Sequence, residues 1–319
     1  VARKKRRPRL AKLFEPYVWD WFERTFGKAS PPQKQAWPTI AAGRNTLIFS
    51  PTGSGKTLAA LLWCINDLFR QRELPRGIQV LYVSPLKALN NDIQKNLVEP
   101  LAGIRAAADR AGIEVPEVRS AVRTGDTTQQ ERAAMARRPP HIFITTPESL
   151  FIILSTRKFR EALRTVRYVI VDEIHAMSDN KRGVHLSLSL ERLQHLADES
   201  LVRIGLSATQ RPLEEIARFL VGVGNDGNPR ECEIVDVGAR KNLDVQVVCP
   251  VDNLLESHHD AIWGSAYARM LDLIGRHDTT LVFTNSRFKT ERTALRLNEL
   301  AIDAPVRVGA HHGSMSKEV

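Results

Sequence analysis

The sequence predicts a doubly wound α/β fold, and two observations carry that prediction. Short β-rich apolar runs alternate with helical stretches from about residue 45, and the runs are apolar without strict alternation. Strands buried on both faces of a parallel sheet read this way, because helices cover both sides. The runs are residues 46–50, 79–84, 141–146, 167–172 and 202–208, each rich in Val, Ile and Thr. Between them, 56–71 and 211–222 carry apolar residues at helical spacing. The texture changes at 224–233, where Gly224, Gly227 and Pro229 mark a linker. Beyond it come a strand candidate at 245–249, a helical stretch at 261–275, a buried strand at 279–285 and its helix at 286–300. A second α/β unit therefore begins near residue 240. It holds about 80 residues, short for a whole doubly wound domain. The expected organisation is a basic, disordered tail (1–12), a first domain (13–225), a linker (226–242) and an incomplete second domain (243–319).

Composition excludes several classes. With 319 residues, 43% of them hydrophobic and 26% charged, the chain can bury a full core, which rules out wholesale disorder. Cys64, Cys232 and Cys249 are too scattered for a disulfide framework or a zinc ribbon, and fit a reducing compartment. No apolar run approaches the roughly 18 residues of a membrane span, and no signal peptide is visible. The net charge is +10, but residues 3–9 supply +6 of it. That cluster reads as a solvated tail, with a phosphate-binding arm as the sharper alternative. Composition alone leans only weakly toward nucleic acid.

Residues 50–57, Ser-Pro-Thr-Gly-Ser-Gly-Lys-Thr, follow a strand and open a helix, the context that makes a phosphate-binding P-loop credible. Thr52, Gly53, Ser54, Gly55, Lys56 and Thr57 are the expected nucleotide contacts. Glycines admit the backbone to the phosphates, and successive N–H groups at a helix start cradle their charge. Lys56 is expected to reach the β- and γ-phosphates and the Thr57 hydroxyl to ligate Mg²⁺. The strict pattern has Gly where this chain has Ser50.

A P-loop does not name a reaction; the second acidic motif narrows it. Asp172 and Glu173 close an apolar strand, 116 residues beyond Lys56. Asp172 is expected to hold Mg²⁺, and Glu173 to orient or deprotonate an attacking water.

At this point the chain resembles the DExH helicases of superfamily 2, because several short motifs arrive in that family's order. Gln33 resembles the adenine-reading glutamine ahead of the P-loop, a match for ATP over GTP. Residues 84–89 (Ser-Pro-Leu-Lys-Ala-Leu), 124–126 (Thr-Gly-Asp) and 146–149 (Thr-Pro-Glu-Ser) resemble the strand-holding loops. Ser207-Ala-Thr209 resembles the motif that couples hydrolysis to domain movement, and His175 the histidine that links hydrolysis to the Gln33 region. Within the superfamily the wording is similar to the large helicase-related group, Lhr. Residues 51–60, 82–91, 145–150, 172–175 with 181–183, 281–287 and 310–317 carry that likeness.

The resemblance implies tandem RecA-like domains, with ATP and Mg²⁺ as cofactors, and a 3′–5′ translocase working on single-stranded DNA, DNA duplexes or RNA–DNA hybrids. It implies a cytoplasmic or nucleoid location and a place in DNA repair. The implied strand contacts are Ser84, Pro85, Lys87, Gly125, Thr146, Pro147, Thr284, Asn285, His312, Gly313 and Ser314. Ser207 and Thr209 are the implied coupling residues. No membrane role is expected, and the sequence names no protein partner.

One departure matters. The family's arginine finger follows the His-His-Gly-Ser stretch and would lie beyond Val319; Arg287 sits in a strand-binding motif and is not that finger. A finger contributes about 10³–10⁵ in rate, against about 10²–10⁴ for a general base. These residues alone are thus expected to bind ATP but hydrolyse it poorly. An ATP-gated clamp without processive unwinding is the rival reading, and the ATPase of a transporter or kinase a third. The aromatic run Phe14, Tyr17, Trp19, Trp21, Phe22 and Phe26 reads as a helix packed on the first domain, with adenine stacking by Phe26 as the alternative.

Overall fold

A computed structural model describes residues 8–85, 87–208, 212–238, 244–253, 255–302 and 306–312. The chain divides into two compact units, 1–240 and 241–319. The first unit opens with α1 (Pro16–Phe26), α2 (Pro31–Ala41), β1 (Thr46–Phe49), α3 (Lys56–Arg70), β2 (Val80–Val83) and α4 (Lys87–Arg110). There follow β3 (Ser120–Arg123), α5 (Gln129–Arg137), β4 (Ile142–Thr145), α6 (Pro147–Leu154), α7 (Arg157–Arg160) and β5 (Tyr168–Val171). The unit closes with α8 (Lys181–Leu196), β6 (Val202–Ser207), α9 (Leu213–Val221) and β7 (Glu233–Asp236).

Seven strands form one parallel sheet in the order β3-β4-β2-β5-β6-β1-β7. The apolar runs lack alternation because both faces are covered. On one side Ile48, Tyr82, Ile144, Ile170 and Leu206 join a core with Phe22, Trp37 and Leu62. On the other, Leu47, Leu81, Phe143 and Val171 meet Leu150, Leu190 and Leu220. Each such side chain stabilises the fold by about 1.5–3 kcal/mol when fully buried. Because every pairing is parallel, all strands end on the same edge of the sheet, where open α/β sheets place their ligands.

The five predicted strands are β1, β2, β4, β5 and β6, each within a residue or two of its expected bounds. The sheet's two edge strands were not predicted. β3 and β7 are four residues long and partly exposed, so neither leaves an apolar run to read. β7 falls inside 226–242, expected as a linker; it pairs along the whole of β1. Residues 10–12, expected as part of a disordered tail, lie in a turn of 3-10 helix (Leu10–Leu13) with Ala11 fully buried. Residues 1–7 lie outside the described residues.

The second unit contains α10 (His259–Gly275) and α11 (Arg287–Leu300) where helices were expected. The strands expected at 245–249 and 279–285 are not formed among the described residues. A strand is defined by its ladder partner, and neither segment has one here. Val247, Leu281 and Phe283 stand exposed instead. No described helix of either unit is long and apolar enough to cross a membrane.

Candidate functional site

The P-loop leaves β1 at Phe49, with the Ser50 N–H donating to the Ser207 carbonyl of β6 at 3.1 Å. Gly55 takes φ +87° at the start of α3, and a Cβ there would sit 2.8 Å from the Gln33 amide nitrogen. Only glycine suits both that backbone and that approach. Ser50, where the strict pattern has Gly, is put to use: its hydroxyl lies 2.6 Å from the Ser54 hydroxyl across the loop. The buried Lys56 donates to the Ser50 carbonyl at 3.3 Å. The α3 N-terminus and this folded-back lysine together form a pocket edge suited to phosphate.

Gln33 lies in the first turn of α2, where its Oε1 accepts from the Ser30 N–H at 2.9 Å and its Nε2 donates to the Gly55 carbonyl at 3.3 Å. It thus ties α2 to the P-loop, and reading a purine edge requires exchanging those bonds. Five of the six aromatics in the 14–26 run are buried against the first unit; Phe26 is half exposed, with Trp21 and Phe22 against it.

Asp172 and Glu173 follow β5, two strands from β1. Asp172 is buried, and both its oxygens are engaged: Oδ2 by the Tyr82 hydroxyl at 2.6 Å, Oδ1 by the Glu173 N–H at 2.9 Å. Burial raises its pKa above the usual carboxylate value, opposed by the Tyr82 bond and by the positive charge of Lys56. Glu173 takes a left-handed conformation, φ 45° and ψ 42°, the only positive φ outside glycine among the described residues. That strain turns its side chain toward His175, whose Nε2 is 3.3 Å from Glu173 Oε2. The other ring nitrogen, Nδ1, meets the Ser207 hydroxyl at 3.4 Å. His175 therefore bridges the acidic pair to β6. The resemblance pointed it at the Gln33 region, but Glu173 and Ser207 occupy both ring nitrogens.

A hard cation fits this corner. The Asp172 carboxylate feels the charge of Lys56, and Thr57 follows Lys56 in the first turn of α3, so two oxygen ligands share one neighbourhood. No group of three or more His, Cys, Asp or Glu among the described residues could hold a metal. Mg²⁺, which keeps several waters and leans on phosphate oxygens, suits two protein ligands.

The loop carrying the acidic pair is pinned from behind by Gly183, in the first turn of α8. A Cβ there would lie 1.7 Å from the Met177 carbonyl. Gly183→Ala is expected to cost about 1–3 kcal/mol, read as a lower melting temperature and weaker nucleotide binding together. Unchanged melting would show that the loop gives way freely.

The residues of the first unit expected to touch a strand also lie at this edge, yet several side chains face inward. Ser84 is fully buried and its hydroxyl has no partner among the described residues. Thr146 caps α6, its Oγ1 accepting from the Ser149 N–H at 3.3 Å, with Pro147 buried behind it. Gly125 is exposed and its carbonyl accepts from Arg132 at 3.0 Å. Arg182, given no role from the sequence, donates to the Pro85 carbonyl at 2.9 Å and to Glu148 at 2.7 Å, joining two of these loops. In the second unit Thr284 meets Thr290 at 2.7 Å, Asn285 is exposed, and His312 meets Glu291 at 2.7 Å. The Lys87 side chain, Thr209, Gly313 and Ser314 lie outside the described residues. Neither Tyr82 nor Arg182 could be found from sequence, since their partners are about 90 or more residues away in most cases.

Comparison with known proteins gives one result throughout. The sequence model of the DEAD/DEAH box helicase family matches residues 30–216. The chain is 52% identical over 312 residues to the ATP-dependent helicase Lhr-Core of Methanothermobacter thermautotrophicus, covering 96% of this chain and 36% of that one. It is 44% identical over 337 residues to the Lhr helicase/probable uracil glycosylase of Mycolicibacterium smegmatis, covering 96% of this chain and 22% of that one. Among solved structures, the Mycobacterium smegmatis helicase Lhr bound to ssDNA and AMP-PNP superposes with a TM-score of 0.82 at 46% identity, covering 97% of this chain and 39% of that one. The helicase MrfA superposes at 0.69 with 21% identity, covering 91% of this chain and 41% of that one, a likeness of fold alone. The chain spans about a third or less of the length of these curated relatives.

Proposed function

Because this chain belongs to the DEAD/DEAH box helicase family, we propose that it is the ATP-driven motor portion of a nucleic-acid helicase. The observation that carries the reading is the line Glu173–His175–Ser207, which runs from the acidic pair to the strand that also anchors the P-loop. A change at the phosphate is thereby felt at β6.

Each residue has a role in this scheme. Lys56 leaves the Ser50 carbonyl for the β- and γ-phosphates, while the N–H groups at the start of α3 hold their charge. Asp172 and Thr57 would hold Mg²⁺, and the ion would supply neutralisation of charge at the phosphate oxygens. Glu173 accepts a proton from the attacking water, and His175, turned toward it, stabilises the result and passes the change to Ser207. Ser84, Pro85, Lys87, Gly125, Thr146 and Pro147 position a strand, through backbone groups where their side chains are buried. Thr284, Asn285, His312, Gly313 and Ser314 add contacts from the second unit, with Thr209 beside Ser207 in coupling.

Single-stranded DNA is the first substrate of this proposal, since the similar Lhr structure holds it. Movement 3′–5′, action on RNA–DNA hybrids, service in repair, a cytoplasmic or nucleoid location and poor hydrolysis by these residues alone belong to the same reading. The test is ATP hydrolysis by the longest soluble form of the protein, with and without single-stranded DNA, over a salt series. Stimulation is expected, with half-saturation weakening steeply as salt rises, because phosphate contacts release counterions. Indifference to any strand would overturn the motor reading. Stimulation with no separation of a long duplex would favour the ATP-gated clamp.

A further inference from the structure

Tyr82 is fully buried in β2, between Leu81 and Val83, in a core that a phenylalanine would fill equally well. A buried hydroxyl is costly unless paired, so its presence calls for a partner. Its ring lies on the same face as Ile170, its neighbour in register, and reaches diagonally to Asp172, two residues further along the adjacent chain. The resulting bond, 2.6 Å from Tyr82 Oη to Asp172 Oδ2, has the short length of a hydroxyl donating to a carboxylate. The proton is committed to Asp172 Oδ2, and Oδ1 of the same carboxylate accepts from the Glu173 N–H, so both oxygens are held. The Asp172 carboxylate is thereby fixed in orientation just past the end of β5. Each carboxylate oxygen keeps a further lone pair for another group.

We propose that Tyr82 is the positioning residue of the magnesium site, holding the Asp172 carboxylate in the orientation that leaves its remaining lone pairs to a cation. The proposal rests on the ATPase reading above and deepens it. Partners of this kind fix the orientation of metal ligands, and losing one typically weakens metal affinity by about 10–100-fold.

The test is Tyr82→Phe, which keeps the ring and removes the hydroxyl. Binding of a fluorescent ATP analogue is titrated with Mg²⁺, and again in EDTA. The variant is expected to need about tenfold or more Mg²⁺ for the same gain in affinity, with binding in EDTA unchanged. In an Asp172→Asn background the Tyr82→Phe effect is expected to shrink, since the coupled partner is gone. An unaltered Mg²⁺ requirement, or an equal loss of affinity in EDTA, overturns the positioning role. If the wild-type chain binds the analogue with no response to Mg²⁺, the magnesium reading fails instead, and Tyr82's role with it. A second measurement needs no variant to fold: with fluorotyrosine at the four tyrosines, the ¹⁹F signal of residue 82 is expected to move when Mg²⁺ joins bound nucleotide. A silent spectrum overturns the proposal.

Discussion

Replacing Glu173 by Gln is expected to leave ATP binding within a few-fold of the parent and to cut strand-stimulated hydrolysis by about 10²–10⁴-fold. The substitution is close to isosteric, so the contact with His175, 3.3 Å in the parent, can be kept by the amide oxygen or nitrogen. What disappears is the capacity to take a proton. Asp172 is poorly placed to substitute, because Tyr82 and the Glu173 N–H hold both its oxygens. The measurement is single-turnover hydrolysis beside nucleotide affinity, in the longest soluble form of the protein. Wild-type turnover by the variant would refute Glu173 as the base. The left-handed backbone at Glu173 supplies a companion test. A side chain in that conformation costs about 1–2 kcal/mol, so Glu173→Gly is expected to be at least as stable as the parent while equally inactive. A glycine variant that melts lower would mean the glutamate also supports the loop.

How much of this was legible in the sequence depends on how local each signal is. The P-loop was readable because its chemistry lies in consecutive residues, 50–57, between a strand and a helix. The central strands were readable because burial on two faces leaves an unbroken apolar run, as in residues 168–171. The edge strands were not, since β7 exposes Glu233 and Asp236 and reads as linker. Motif residues can be picked out in the sequence, but the bonds their side chains make within the fold cannot. Thr146 reads as a strand contact, yet its hydroxyl caps α6; Gln33 reads as an adenine reader, yet it also fastens α2 to Gly55. His175 joins Ser207 across 32 residues, and Tyr82 joins Asp172 across 90; such pairs are set by strand order, which no local pattern encodes.

Glu191→Ala is expected to be strongly destabilising although it lies away from the nucleotide site. Arg203 of β6 is 1% exposed, and its charge is met by Glu191 Oε1 at 2.9 Å and by the Leu220 and Val221 carbonyls at 3.2 and 3.0 Å. Arg230 grips the same carboxylate with both terminal nitrogens, each at 2.8 Å. One glutamate thus serves two guanidinium groups, tying α8 to β6 and to the segment after α9. Removing it leaves a buried cation with carbonyls alone, a loss of about 3–5 kcal/mol in fully buried pairs. The lower end applies here, since the Glu191 side chain is 35% exposed. For a unit of this size that is a fall of roughly 6–12 °C in melting temperature. The two arginines hold the Glu191 pKa below its ordinary value, against the opposing effect of burial. Its contribution is therefore fully present above the unfolded carboxylate pKa of about 4.3 and is lost as pH falls through the depressed folded value. The gap between parent and variant should be widest at neutral pH and close in acid. Adding Arg203→Met to the variant should recover much of the loss, because an apolar chain removes the unpaired charge. Equal melting of parent and Glu191→Ala at pH 7 would refute the pairing. No rescue by Arg203→Met would place the cost in Arg230 and the loop it holds.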